Sequence, residues 1–382
     1  MNTMSKRMFI LFHGRFPSEK AASLFAAKSA EAFVLKDVEV TLVVPQRRDV
    51  PPLNPFDFYG VKHTFGIIYL SIVDLFGKAP AFVAFWMSYI AFSVSSVLYI
   101  RKTAHPDDVI YSNEALPLFF TSFFHGNCFY EMHDFPESKM FFFGWLLSRM
   151  RWVLVHNEWK VQQVLKKFPK FRGKIIMERN AVDINAFNVN LSKVEVRKKL
   201  NLPEDVVLVL YTGHLYRWKG VYTLVDAARM MPRNVLFVLV GGTEKDIIAL
   251  KEYAKDVQGI MFMGHRSHHE IPLWQAAADL LVLPNSAEEK ISAFYTSPMK
   301  LFEYMASKRP IVVTDLPSIR EIAGDDTATV VAPDDARGLA AGIEMTLADI
   351  RGSEAKAEKG YAWVSEHTWD KRASRILAFV QL

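Results

Sequence analysis

The sequence predicts an α/β protein of two successive domains, each a parallel sheet covered by helices. Three observations predict it. At 382 residues the chain can hold two domains of ordinary size with a full core in each. Short apolar runs recur, separated by segments of helical length. The second half of the chain repeats the plan of the first. A content of 51% hydrophobic and 23% charged residues excludes disorder and fits a globular protein.

Taken in order, the first run is Met8 to Phe12 (MFILF), a predicted strand. The basic residues ahead of it precede only a short apolar run that stops at His13-Gly14 with no cleavage site, so a strand is expected there and not a signal peptide. A helix is predicted over Ala21 to Leu35, then strands at 38–45, 108–112, 127–133 and 152–157. Short apolar strands alternating with helices imply a parallel sheet with helices on both faces. The second half gives VVLVLYTG, NVLFVLVGG, GIMFMG, LLVLPNS and PIVVTD as strands, with helices between them. The last stretch, Tyr361 to Leu382 with Trp363 and Trp369, predicts a closing helix.

Residues 79–100 form 22 positions without a charge, enough to span a bilayer. The strands at 38–45 and 108–112 are expected in one sheet, so both ends of the stretch stay on one side of any membrane. A buried or membrane-facing helix is therefore the prediction, and not a span. The lone cysteine, Cys128, allows no internal disulfide and no cysteine-based zinc site, and reads as a packed thiol in a reducing, cytoplasmic compartment. A net charge of +5 points to anionic partners. Nucleic acid is not the expected one, because no recognition motif is present and the basic residues are spread over many elements.

The most informative segment is Ser297 to Ile322, SPMKLFEYMASKRPIVVTDLPSIREI. Ser297 and Pro298 are good helix-opening residues for LFEYMASK, which leads through Arg309-Pro310 into a buried strand. Glu303 is the single acid on an otherwise apolar helix face. A carboxylate there needs hydrogen-bond donors, since burying it unpaired costs several kcal/mol. A ribose diol would supply them, and the nearby helix N-terminus would attract a phosphate.

With its TDLPSIREI continuation, this segment resembles the donor-binding signature of family 4 glycosyltransferases, the glycosyl transferases group 1. The resemblance implies the GT-B fold: two Rossmann-like domains facing across a cleft, with a C-terminal helix crossing back to the first. It also implies domains of 1–182, completed by 362–382, and 183–361, because Asn180-Ala181-Val182-Asp183 is similar to the turn that opens the second domain, with Ala181 for the usual glycine. The implied reaction moves a sugar, with retention, from a nucleotide diphosphate sugar to an acceptor. No metal and no other cofactor is expected.

Departure of a nucleoside diphosphate builds negative charge on the β-phosphate, which fixed positive groups must meet. The loop YTGHLYRWKG, Tyr211 to Gly220, resembles the family's glycine, arginine, lysine-glycine loop. It turns at Gly213 and offers Arg217 and Lys219, while His214 stands where the family arginine often lies. The family's first glutamate, eight positions before Glu303, is Tyr295 here. Thr296, Ser297 and Lys300 are then the candidates to hold phosphates and sugar hydroxyls. His133, in EMHDFPES, matches the family histidine that hydrogen-bonds the donor sugar, and follows a predicted strand, where open α/β sheets bind ligands. Gly14, ending the first strand, would let the backbone approach the diphosphate. His265 and Arg266, after Gly264, occupy the turn that touches the nucleobase in relatives. His268-His269 offers no metal site, because adjacent side chains diverge and no carboxylate motif accompanies them.

The expected acceptor is a lipid-linked saccharide or another cell-envelope glycan. Aromatics at 141–145 and basic residues including Lys160, Lys166, Lys167, Lys170, Arg172 and Lys174 suit a peripheral anionic membrane surface, or equally a core cluster beside a solvated face. The expected location is cytoplasmic, peripheral on the inner face of the cytoplasmic membrane. A nucleotide-sugar epimerase of the same fold, and a degenerate donor-binding partner subunit permitted by Tyr295, are the alternative readings.

Overall fold

The computed structural model describes residues 6–48, 50, 53–137 and 140–381; Ser138 of the histidine motif, the predicted domains' first five residues and Leu382 lie outside them. The chain divides into two compact units, Met1–Glu178 with Trp369–Leu382, and Arg179–Thr368.

Among the described residues the first unit has seven strands: β1 Lys6–Leu11, β2 Val38–Pro45, β3 Gly66–Leu70, β4 Val109–Ser112, β5 Cys128–Met132, β6 Trp152–Val155 and β7 Ile175–Met177. They pair in the order β3-β2-β1-β4-β5-β6-β7, all parallel, with Met8 of β1 opposite both Val40 and Val109. The strand order reverses beside β1, which places a ligand crevice at the carboxyl ends of β1 and β4. Strands β3 and β7 were not predicted. The helix Ala21–Val34 is buried along most of its length despite a lysine and a glutamate. These two satisfy each other, Lys28 Nζ lying 3.0 Å from Glu31 Oε2, and Lys28 also donates to the Gly60 carbonyl at 2.9 Å.

The apolar stretch forms one helix, Ala81–Thr103, between β3 and β4, so both its ends return to one sheet as expected. Its patterning is inverted. Ala84, Ser88, Phe92, Ser96 and Ile100, spaced by four, face the protein, whereas Phe82 (75% exposed) and Leu98 (62%) face outward. Small residues allow close packing on the inner face, and Ser93 Oγ is satisfied by the Tyr89 carbonyl at 2.7 Å. Among the described residues this is the one helix long and apolar enough to cross a membrane, with a third of its apolar window buried.

The second unit carries β8 Val207–Thr212, β9 Val235–Val240, β10 Ile260–Gly264, β11 Leu280–Leu283, β12 Ile311–Thr314 and β13 Thr329–Val331, in the parallel order β10-β9-β8-β11-β12-β13. The unpredicted strand here is β13. Successive residues feed opposite cores: Leu208, Leu210, Val238 and Val313 one, Val209, Tyr211, Phe237 and Val312 the other. Both faces are therefore covered, as continuous apolar strands require.

The closing helix differs from its prediction. It is two helices, Ile350–Val364 and Trp369–Val380, separated at Ser365–Thr368. Trp363 packs on Phe302 in the second unit, and Trp369 on Phe25 in the first. The break is made by tertiary pairing: Val182 N–H donates to the His367 carbonyl at 3.0 Å, and Val182 bridges Thr368, which pulls the chain out of helix.

Candidate functional site

In the second unit the predicted residues gather where β8 ends and the signature helix, Met299–Ala306, begins. Gly213 has φ +129 and carries no Cβ, and the Lys300 amine occupies the space a Cβ would need. Lys300 Nζ donates to Tyr211 Oη at 3.0 Å and lies 4.2 Å from the Tyr211 ring centre. Burial, reinforced by the charge of Lys219, holds its pKa well below the usual lysine range. Gly220, at φ +71, lies so close to the Pro284 carbonyl that a side chain is excluded, which closes the loop tightly behind Lys219. The Lys219 amine sits 3.6 Å from the Trp218 ring centre, and burial lowers its pKa to about 7. Neither lysine makes an ion pair among the described residues.

Directly before the signature helix, Thr296 Oγ1 and Ser297 Oγ are buried without a protein hydrogen-bond partner. Asn180 Nδ2 donates to the Ser297 carbonyl and fixes this turn. Tyr304 Oη accepts from the Thr212 N–H at 2.9 Å, tying the helix to the end of β8. Two buried hydroxyls thus directly precede the helix that carries Lys300, whose amine feels the charge of Lys219. Such groups stabilise an anion carrying several oxygens. Tyr295 is buried at the end of a π-helical turn, Ile291–Tyr295. A single wide turn of this kind often marks a functional segment.

Three predicted placements change. Arg217 is exposed and its guanidinium lies over the Tyr222 ring, 4.6 Å from the centre. The residue beside the lysines is instead His214, whose pKa is lowered first by burial and then by Lys300 and Lys219. Its ring stacks on Tyr216 at 4.9 Å and 6°. Glu303 does not wait for a ligand to supply its donors, because His268 Nε2 lies 3.0 Å from Glu303 Oε1. The carboxylate is mostly shielded, and His268 is the residue that sequence reasoning passed over. Its signal was its place in a strand-end turn, and a partner 35 positions away was not visible. Finally, Lys160 is not a surface cation. It is buried and donates to the backbone carbonyls of Met132, at 3.3 Å, and His133. His265 closes β10 beside His214, and Arg266 NH1 donates to the His265 carbonyl at 3.0 Å while lying over Trp274.

In the first unit His133 follows β5 and Gly14 follows the end of β1, both at the carboxyl edge of the sheet. Beside Gly14, His13 is buried and its pKa is lowered to about 3 by burial, then by Arg47. Its ring nitrogen lies 3.0 Å from Ser88 Oγ, and its N–H donates to Glu114 at 3.2 Å. Glu131, His133 and His156 bring ligand-type atoms within 4.8 Å of one another. A metal would take such a donor set, but here Arg372 places its guanidinium on Glu131 at 2.7 Å, so a cation already holds the carboxylate. Cys128 is buried, which pushes its thiol up to about 12 and leaves it unreactive.

The fold defines a two-domain α/β protein of the GT-B class, with an anion-ready cluster in its second unit. Residues 207–349, within the second unit, match the family model described as Glycosyl transferases group 1. A Bacillus subtilis protein named as a teichuronic acid biosynthesis glycosyltransferase, TuaC, is 28% identical over 48% of this chain and 44% of its own length. The D-inositol 3-phosphate glycosyltransferase of Corynebacterium urealyticum is 22% identical over 64% of this chain and 60% of its own. The chain thus spans about half the length of the curated relatives it matches. Among solved structures, sucrose-phosphate synthase from Thermosynechococcus elongatus superposes with a TM-score of 0.80, at 18% identity and 98% coverage of both chains. HepE of Anabaena in complex with UDP gives 0.74 at 16% identity, covering 98% of this chain and 99% of its own. At these identities the likeness is one of fold.

Proposed function

We propose that this protein is a retaining glycosyltransferase that uses a nucleoside diphosphate sugar and a glycan or lipid-linked acceptor. The observation that carries it is the pair Lys219 and Lys300, half-buried and without ion pairs among the described residues, with the partnerless buried hydroxyls of Thr296 and Ser297 just ahead of Lys300 in the chain. Holding two like charges close together, partly shielded from water, is unfavourable unless an anion completes the site. In the reaction, the bond from the sugar C1 to the β-phosphate oxygen breaks and its electron pair leaves with the diphosphate. A new C1–O bond forms to an acceptor hydroxyl, whose proton passes to the departing diphosphate. Lys219 and Lys300 meet the charge that grows on the diphosphate, and no metal is called on for that task. Glu303 and His268 together face the ribose, and His133 contacts the sugar. The family match and the UDP bound to the HepE neighbour support the donor class. Relatives named for teichuronic acid and lipopolysaccharide core biosynthesis support a cell-envelope acceptor.

The protein is proposed to work at the inner face of the cytoplasmic membrane, held peripherally. The outward face of Ala81–Thr103, with Phe123, Trp145 and Phe141 (90% exposed), presents an apolar surface. Arg101 and Arg149 lie over Phe124 and Phe123, at 4.5 and 3.9 Å, the mixture of ring and cation that suits a lipid interface.

Incubation with a panel of nucleotide sugars, with and without acceptor lipid and with and without a chelator, tests the reading. Acceptor-dependent nucleotide release that survives the chelator is expected. Release or isomerisation of the donor without acceptor would favour the epimerase. Nucleotide binding with no turnover on any donor would favour the degenerate subunit.

A further inference from the structure

Lys300 carries its amine on a flexible four-carbon stem, yet the end of β8 gives that amine one defined place. The first support is a phenol. Tyr211 lies in β8 and is completely buried. Its Oη donates to the His214 carbonyl at 2.6 Å. That commits the single phenolic proton, so toward Lys300 the oxygen can only accept, and Lys300 Nζ donates to it at 3.0 Å. The second support is the ring of the same residue, whose centre lies 4.2 Å from Nζ, a position in which its face attracts an ammonium. The third is a missing side chain. The Lys300 amine fills the space that a Cβ on Gly213 would need, and the Gly213 N–H donates to the Val240 carbonyl at 2.8 Å, which fixes that notch to β9.

The helix that bears Lys300 is tied to the same strand end. Lys300 and Tyr304 are four residues apart, hence on one face of the helix Met299–Ala306, and Tyr304 Oη accepts from the Thr212 N–H at 2.9 Å. Two successive residues of β8 therefore grip two successive turns of the helix. A buried tyrosine that serves packing alone needs one partner for its hydroxyl, and the His214 carbonyl already is that partner. The contact with Lys300 is an additional one. The other charged or titratable groups around Lys300 are Lys219 and His214, from the loop after β8, and Glu303 on its own helix.

We propose that Tyr211 is a positioning residue of the anion site: its hydroxyl and ring, with the notch at Gly213, hold the Lys300 amine at the carboxyl end of β8 for the diphosphate of the donor. An ammonium has three N–H donors. One is held by Tyr211, which fixes the direction of the other two toward phosphate oxygens. A residue inside the strand, with no surface of its own, thus takes part in donor binding without touching the donor. The inference rests on reading Lys219 and Lys300 as the diphosphate site.

The test is a double-mutant cycle on the full chain, read by calorimetric titration with UDP, GDP and ADP. Tyr211→Phe keeps the ring and removes only the acceptor. It is expected to weaken the nucleoside diphosphate that the parent binds by about 10-fold. In the Lys300→Met background the same substitution should change affinity by no more than about 2-fold, because the group it positions is gone. A role in packing alone would cost the same in both backgrounds. Gly213→Ala, which drives the amine from its notch, should weaken binding at least as much as Tyr211→Phe; if it does not fold, the tyrosine cycle alone decides. Parental affinity in Tyr211→Phe or in a folded Gly213→Ala variant, or equal losses in both backgrounds, would overturn the inference and leave the diphosphate site standing. Parental affinity in Lys300→Met, or a parent that binds none of the three nucleotides, would refute the diphosphate reading and this inference with it.

Discussion

The two units bury charge in opposite ways. In the first, a fully buried carboxylate, Glu131, is met by Arg372 within the fold, and the pair is closed. In the second, Lys219 and Lys300 are half-buried with no carboxylate paired to them among the described residues, and desolvation lowers their pKa values. A closed pair is an instrument of the fold, whereas an unmet charge is a place kept for a ligand. The comparison teaches that burial alone does not identify a site, and that the sign left uncompensated names the ligand's charge.

The largest effect should come from opening the closed pair. Arg372→Ala strands a buried carboxylate, which costs about 3–5 kcal/mol, so the denaturation midpoint should fall sharply. The matching substitution in the open site, Lys300→Met, should leave that midpoint unchanged or raise it. A large loss of stability from the lysine variant would erase the distinction between the two regions.

Next in size is catalysis. Lys219→Ala is expected to lower turnover by roughly 10² to 10³ with the fold intact. Arg217→Ala, whose guanidinium lies on Tyr222, should do much less damage. Steady-state kinetics on the two variants would separate them, and equal losses would return Arg217 to the site.

Glu303→Gln should weaken nucleoside diphosphate binding by about 1.5–3 kcal/mol, because a charge-assisted hydrogen bond to ribose is lost. His268→Ala should weaken it less, since the carboxylate remains. Calorimetry measures both, and parental affinity in the glutamine variant would end the ribose role.

How far the sequence disclosed this contrast depends on where the partners lie. The open site was legible, because Gly213, Lys219, Thr296, Ser297, Lys300 and Glu303 sit in two short segments that end strands or open a helix. The closed network was not. Arg372 is 241 positions from Glu131, and no local pattern links an arginine on an amphipathic helix to a glutamate inside a strand. His268 and His214 were missed for a related reason, since their roles come from neighbours brought in by folding. The core strands were legible from apolar runs. Strands β3, β7 and β13 were not; all three lie at sheet edges and are mostly only partly buried. The break at Ser365–Thr368 contains no glycine or proline to announce it, and is imposed by the pairing with Val182.

The smallest predicted effect concerns the membrane. Each basic residue near an anionic surface contributes about 1 kcal/mol, and that part is screened by salt. Replacing Arg101 and Lys102 with Glu should weaken sedimentation with anionic liposomes at low salt and leave nucleotide affinity unchanged. Parental binding in that variant would remove this end of the helix from the lipid surface.

The central claim is that the lysine pair is a diphosphate site, and proton uptake tests it most directly. In the free protein Lys219 titrates near 7, so at pH 8 it is mostly neutral. An anion beside it favours the charged form, so binding must draw in protons above that pKa, and affinity must fall as pH rises past 7. Nucleoside diphosphates titrated calorimetrically at pH 8, in buffers of different ionisation heat, should show net proton uptake that disappears in the Lys219→Met, Lys300→Met double variant. Tight binding without proton uptake, or unchanged binding in the double variant, would contradict the account.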